Sequence, residues 1–201
     1  MLVGSWVAAG TVVDEVVAVV GSAPLLASDL DLAVLVGLVP DAEDESAEAD
    51  RSRVLAARVR LEIQYRDLET SGVLYRLQPD VEPVRDALLA RAGGEAEVAD
   101  RLDRIGMAMA DVEDLALRLA AVDAYVTQRL RPRITVGLDR VESTYRELVV
   151  AEYERQGATP PPLEEVRDGI YRLLVERELN NEIERWTAQA EARLEVTVFA
   201  P

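Results

Sequence analysis

The chain has 201 residues, with 38 acidic side chains against 22 basic ones, every one of them Arg, and a formal charge of −16. A surface this acidic repels phosphate backbones and anionic lipid heads, which argues against nucleic-acid partners and polybasic membrane docking. With no Cys and no His, disulfides, thiol nucleophiles, histidine bases and zinc or haem sites built on those ligands are excluded, so no cofactor or metal is expected.

Nearly half the residues are apolar, few are aromatic, and strand-like alternation occurs only near the two ends. That pattern predicts one mainly α, multi-helix unit with a small β-sheet, of a size that buries a real core. Residues 1–10 are apolar and rich in small side chains and give way to Thr11-Val12-Val13-Asp14-Glu15. They read as a signal-peptide remnant with a cleavage point around Ala8 to Gly10, which places the protein in the periplasm or otherwise outside the cytosol. No run is long enough to span a bilayer.

Val16-Val17-Ala18-Val19-Val20, the Gly21-Ser22-Ala23 turn and Pro24-Leu25-Leu26-Ala27 predict a β-hairpin. Ser28 followed by Asp31 predicts a capped helix start, and Gly37 and Pro40 end that helix. The acidic run 41–50 lacks the central Gly and spaced ligands of a calcium loop and reads as a solvated linker, helical toward its end. A helix over 51–68 carries Val54, Leu55, Val59, Leu61, Ile63, Tyr65 and Leu68 around more than half its circumference and should be buried between neighbours.

Asp80 caps a third helix with Pro83 in its first turn and Val81, Val84 and Leu88 as its stripe; Gly93-Gly94 ends it. A short helix over 95–105 turns Val98, Leu102 and Ile105 inward and closes at Gly106. The central element begins at Asp111, with Val112, Leu115, Leu119, Val122 and Val126 on one stripe. Burying it fully would supply about 10 kcal/mol of gross driving force, so other segments must cover it. Pro132 predicts that this helix stops at Leu130-Arg131-Pro132-Arg133.

Leu138, Val141, Tyr145, Leu148 and Val149 mark a further helix after Gly137, which runs out in the stiff spacer Gly157-Ala158-Thr159-Pro160-Pro161-Pro162. In the last helix, over 163–193, Val166, Ile170, Leu173 and Leu174 share one face while Leu179, Ile183 and Trp186 lie roughly opposite. Such a helix either touches two partners or bends near Asn180-Asn181. Residues 194–199 alternate as a strand whose available partner is the N-terminal hairpin, so the sheet should join the two ends of the chain.

Three stretches, in this order, resemble the N-terminal chaperone domain of SurA and its relatives, the periplasmic chaperone/peptidyl-prolyl isomerases. They are Val13-Asp14-Glu15-Val16-Val17-Ala18-Val19-Val20 leading to Leu26-Ala27-Ser28-Asp29-Leu30; Val126-Thr127-Gln128-Arg129-Leu130-Arg131-Pro132-Arg133-Ile134-Thr135-Val136 leading to Val141-Glu142-Ser143-Thr144-Tyr145; and the closing helix with Trp186 running into Leu194-Glu195-Val196-Thr197-Val198. The resemblance implies a helical cradle with tied termini that binds unfolded outer-membrane or secreted proteins. It divides the chain into a signal remnant (1–10), a helical chaperone core with its hairpin (11–156), a Pro-rich linker (157–162) and a C-terminal helix and strand that complete the core (163–201). In relatives a parvulin domain stands where the linker stands here, and this chain has neither room for it nor the histidines of its site. Gly137 is a departure, since relatives place a Ser or Asp cap there.

The expected function is therefore ATP-independent holding of unfolded polypeptides, without catalysis, in a chain that has no Gly-x-x-x-x-Gly-Lys nucleotide loop. Tyr65, Tyr75, Met107, Met109 and Tyr153 are the candidate client contacts, as adaptable or aromatic side chains beyond those the stripes require. The expected partners are unfolded clients, with no nucleic acid and no stable membrane insertion. The alternative is a non-catalytic assembly protein that uses the same fold for one defined partner or a homodimer. Paired carboxylates such as Glu164-Glu165 or Glu178 with Glu182 sit at helix-surface spacings among Arg residues and read as salt-bridged faces, not acid–base pairs.

Overall fold

The computed structural model describes residues 14–40 and 47–199. The signal-like residues 1–10 and most of the acidic run lie outside the described residues. Strands β1 (Val16–Val20) and β2 (Ala23–Leu26) form the expected hairpin, and β3 (Val196–Val198) pairs antiparallel with β1, giving a three-stranded sheet in the order β2-β1-β3. The two ends of the described chain thus meet in one sheet, within a mainly helical molecule.

Helix α1 (Ala27–Leu35) follows β2 directly. Ser28 was expected as its cap, but the cap lies earlier: the Leu26 N–H donates to Asp29 Oδ2 at 2.8 Å, and Ser28, already helical, bonds to the Asp14 carboxylate instead. Asp29 wins because it stands three residues after the extended residue, the reach a carboxylate needs to fold back on that N–H. Gly37 ends the helix at φ +61°, a left-handed turn that a Cβ would strain.

Helix α2 (Ala47–Thr70) is the spine. Its middle packs under the sheet through Val59 and Ile63, which meet Ala18, Val20 and Leu25. Leu61 joins α1, α3 (Val81–Arg91), α4 (Glu95–Arg104) and the first half of α5 (Met109–Tyr125) in a second apolar centre around Leu88, Val98, Leu102, Val112 and Leu115. Near its end Tyr65 and Leu68 meet Ala121, Ala124, Leu130, Leu179 and Trp186.

The predicted α5 stripe is half right. Val112 and Leu115 are buried, but Leu119, Val122 and Val126 are only partly so, and the most buried positions on this helix include Ala116, Ala120 and Ala121. Small side chains let α2 approach closely, so the contact is made by methyl groups and backbone, not by a ridge of large residues. Ala121→Leu should accordingly overpack the site beside Tyr65 and Leu68 and lower stability by about 1–3 kcal/mol, read as a lower midpoint in urea unfolding.

The helix ends within the stretch Leu130-Arg131-Pro132-Arg133, as the proline predicts, but by a change of helix type. The chain widens into a π segment at Val126–Leu130 and tightens into a 3-10 turn at Arg131–Arg133, leaving helical geometry only at Ile134. A change of hydrogen-bond span accommodates a residue that has no N–H to give.

The returning arm consists of α6 (Leu138–Thr144), a second π segment (Tyr145–Val150) and α7 (Ala151–Arg155). It packs on the first half of α8 (Leu163–Glu191) through Val141, Ile170 and Leu174. Tyr145 Oη donates to the Pro161 carbonyl at 2.7 Å, fixing the proline spacer against the arm. Gly137 starts α6 without a side-chain cap bond, as its lack of a side chain requires.

Helix α8 is continuous through Asn180-Asn181, and its opposed faces meet two partners: Ile170 and Leu174 the arm, Leu179 and Trp186 the α2–α5 body. Leu173, expected on the arm-facing stripe, is 54% exposed, and Leu138 and Leu148 are exposed as well. The arm is only one helix thick, so it covers a narrower face of α8 than the sequence spacing allows for.

Candidate functional site

Along α2 runs a feature that apolar periodicity hides. Arg58, Glu62 and Gln64 are buried beside the leucines. Glu62 Oε1 accepts from Arg66 Nε at 2.7 Å and its Oε2 from Arg118 Nε at 3.1 Å, while Arg118 also pairs with Asp114 at 2.9 Å and lies 5.1 Å from the Tyr65 ring centroid. Gln64 Nε2 donates to Thr187 Oγ1 at 2.8 Å, and Thr187 donates onward to the Ile183 carbonyl. Arg58 reaches Asp29 at 3.7 Å, and its Nε and Nη1 make no hydrogen bond to the described residues.

Burial pulls the Arg58 guanidinium below the ordinary arginine range, against the attraction of Asp29 and Glu62. Arg118 is also penalised by burial, yet its hydrogen bond to Asp114 and the charge of Glu62 leave it raised overall. Burial raises the Tyr65 phenol, with Arg118 opposing. These groups neutralise one another inside the helix packing and do not converge on an opening. They orient α1, α2, α5 and α8.

The openings lie on opposite flanks of the N-terminal half of α2. On one flank Leu30, Val34, Leu35, Val39, Val54 and Ile105 line a groove of about 590 Å³, rimmed by Arg51, Arg53, Arg101 and Arg104. On the other, Leu55, Ala56, Val59 and Ile63 face Thr187 and Ala188 of α8 and Val198 of β3 across about 600 Å³. A smaller cleft of about 130 Å³ lies between them: it shares Leu30 and Arg51 with the first groove and Ser52 and Leu55 with the second, and Glu15 and Glu48 line it beside Val17 and Phe199. The three hollows form an interrupted apolar track around α2 that reaches the sheet edge, where Val198 is 52% and Phe199 45% exposed. A polar hollow of about 400 Å³ sits apart from it at the elbow, among Arg133, Arg140, Glu178, Glu182 and Arg185.

The five candidate contacts are not brought together. Tyr65 is only 8% exposed and packs in the core under Arg118. Its aromatic ring is needed to fill the space between α2 and α5. Tyr75 is 85% exposed on the 3-10 turn Leu74–Arg76. Met107 and Met109 are half-buried against the α3–α5 centre, and Tyr153 is half-buried on α7. None of the five lines the track. Its residues carry a sequence signal only in retrospect, as apolar positions of α2 that alternate between flanks.

Among the described residues no group of acidic side chains is placed to hold a metal ion, and no helix is long and apolar enough to cross a membrane. No protein-family model matches the chain, and no curated protein is similar to it.

Proposed function

We propose that this protein is an ATP-independent holdase that shields apolar segments of unfolded outer-membrane or secreted proteins, acting in the periplasm or otherwise outside the cytosol. The observation that carries the reading is the pair of mainly apolar grooves on opposite flanks of α2, with a smaller cleft between them. Concave, mainly apolar grooves are where proteins bind polypeptides or ligands, and Val34, Val198 and Phe199 are the exposed large apolar side chains among the residues that line these. The resemblance to the SurA N-terminal domain supports the same reading, and the charge of −16 keeps a loaded complex soluble.

Added in several-fold molar excess to an unfolded porin diluted from urea, the protein is expected to suppress light scattering, with no nucleotide required. Undiminished aggregation at that excess overturns the proposal. In a prolyl-isomerase assay the expected rate equals the uncatalysed one, since binding without catalysis is proposed.

A second reading is favoured by one observation. Leu138, Leu148, Tyr171 and Leu173 are exposed on the arm and the adjoining half of α8, and they suit a defined partner or a second copy. A tight, concentration-independent dimer in sedimentation, together with no client binding, would select it.

A further inference from the structure

We propose that the client segment is held as a fourth strand on the open edge of β3, its alternate side chains entering the groove between α2 and α8. This deepens the holdase reading and rests on it.

The hydrogen bonding of β3 settles which of its groups are unused. Gly21 N–H donates to the Glu195 carbonyl at 2.7 Å and Phe199 N–H to the Val17 carbonyl at 3.0 Å, with Thr197 opposite Val19 between them. In an antiparallel ladder such pairs alternate, so residues 195, 197 and 199 spend their main-chain groups on β1. The N–H and C=O of Val196 and Val198 therefore point to the other side, where β3 is the edge of the sheet among the described residues. An extended polypeptide is the partner whose chemistry matches an open row of alternating donors and acceptors.

Side chains are also in place. Val196 and Val198 stand opposite Val20 and Ala18, both fully buried, so they face the α2 side of the sheet. Val198 lines the 600 Å³ groove with Leu55, Val59, Ile63 and Ala188. A strand added beside β3 keeps the same period of two, and every second residue would drop into that groove.

Charge selects the occupant. Arg60 at the rim already pairs with Glu184 at 2.8 Å. Glu191 on the rim and Glu195 at the start of β3 have no ion-pair partner among the described residues. A second copy, itself carrying a net charge of −16, would be repelled by this edge, whereas an apolar strand flanked by basic residues is attracted to it.

The test uses the full chain and a dye-labelled peptide of alternating Val and Thr with two Lys at each end. Val198→Pro removes an outward N–H and places a ring on the open edge, while the bonds to β1 are made by other residues. Binding of the peptide is expected to weaken about tenfold or more with an unchanged thermal midpoint. Glu191→Lys with Glu195→Lys should weaken it too, and more so at low salt. Should Val198→Pro fold poorly, the same peptide N-methylated on the amides that face β3 tests the wild type directly, with the same loss expected.

Unchanged affinity for the N-methylated peptide, or for a folded Val198→Pro variant, overturns strand addition. If porin aggregation is still suppressed, the holdase reading survives that result. A dimer in sedimentation that Val198→Pro dissolves would put a second copy on the edge and also overturn the proposal. A wild type that neither binds the peptide nor suppresses aggregation removes the holdase reading itself.

Discussion

Trp186→Ala is expected to lower stability by about 3–5 kcal/mol, measured as the shift of the urea midpoint followed by circular dichroism. The indole lies buried among Tyr65, Leu68, Ala121 and Leu179, its ring centroid 4.5 Å from that of Tyr125 at a tilt of 44°. Its Nε1–H donates to Asp67 Oδ2 at 2.9 Å, and Asp67 Oδ1 accepts from Arg193 at 2.6 Å. One carboxylate at the end of α2 thus ties down two points on the C-terminal segment. Removing the ring leaves a cavity between α2, α5 and α8 and strips Asp67 of its neutral donor. Trp186→Phe keeps most of the packing and loses the hydrogen bond, so about 1 kcal/mol is expected. Equal losses from the two variants would show that the hydrogen bond, not the packing, dominates.

Glu62→Gln is expected to cost about 3 kcal/mol in the same measurement. Glu62 is 2% exposed and carries the negative charge between Arg66 and Arg118, with Arg58 nearby on the same helix. The isosteric amide keeps the shape but offers one acceptor where the carboxylate gives two, and three arginines then lack their common counter-charge. Arg118 and Arg66 retain partial access to water, which holds the loss near the lower end of the range for a broken buried pair. Asp114→Asn is the control. It removes an ion pair from the same Arg118, but Asp114 is a well-exposed partner, and the expected cost is below about 1 kcal/mol.

The sequence shows part of this architecture and conceals part, for identifiable reasons. The sheet that joins the chain ends was legible because 194–199 alternates with period two in a chain that otherwise follows the helical period. The two faces of α8 were legible because Ile170 and Leu174 are out of phase with Leu179 and Trp186. The alanine contact of α5 was not, since Ala forms helices everywhere and marks no face. The burial of Arg58, Glu62 and Gln64 leaves no mark in the apolar spacing, and only their partners on other helices, Asp29, Arg118 and Thr187, reveal that they are inside. The burial of Tyr65 was legible in the apolar face of the 51–68 helix, but the Arg118 guanidinium over its ring was not. The apolar track is the space left where α1 and α8 stop short of covering α2. No local pattern encodes such a remainder.

The pairing of β1 with β3 also sets the order in which the protein can assemble. Ala18 pairs with Val198 from almost the opposite end of the described chain, so this sheet contact carries a large loop-closure cost and is expected to close late. Until then Val20 and Leu25, which rest on α2, have only the hairpin to protect them. An emerging chain holds the hairpin and α2 as a waiting template while α3, α4 and α5 build the neighbouring centre from short-range contacts. Completion then depends on the last turn of α8 and the few residues after it, and the slowest step of folding should be the docking of the C-terminal segment onto a body already formed.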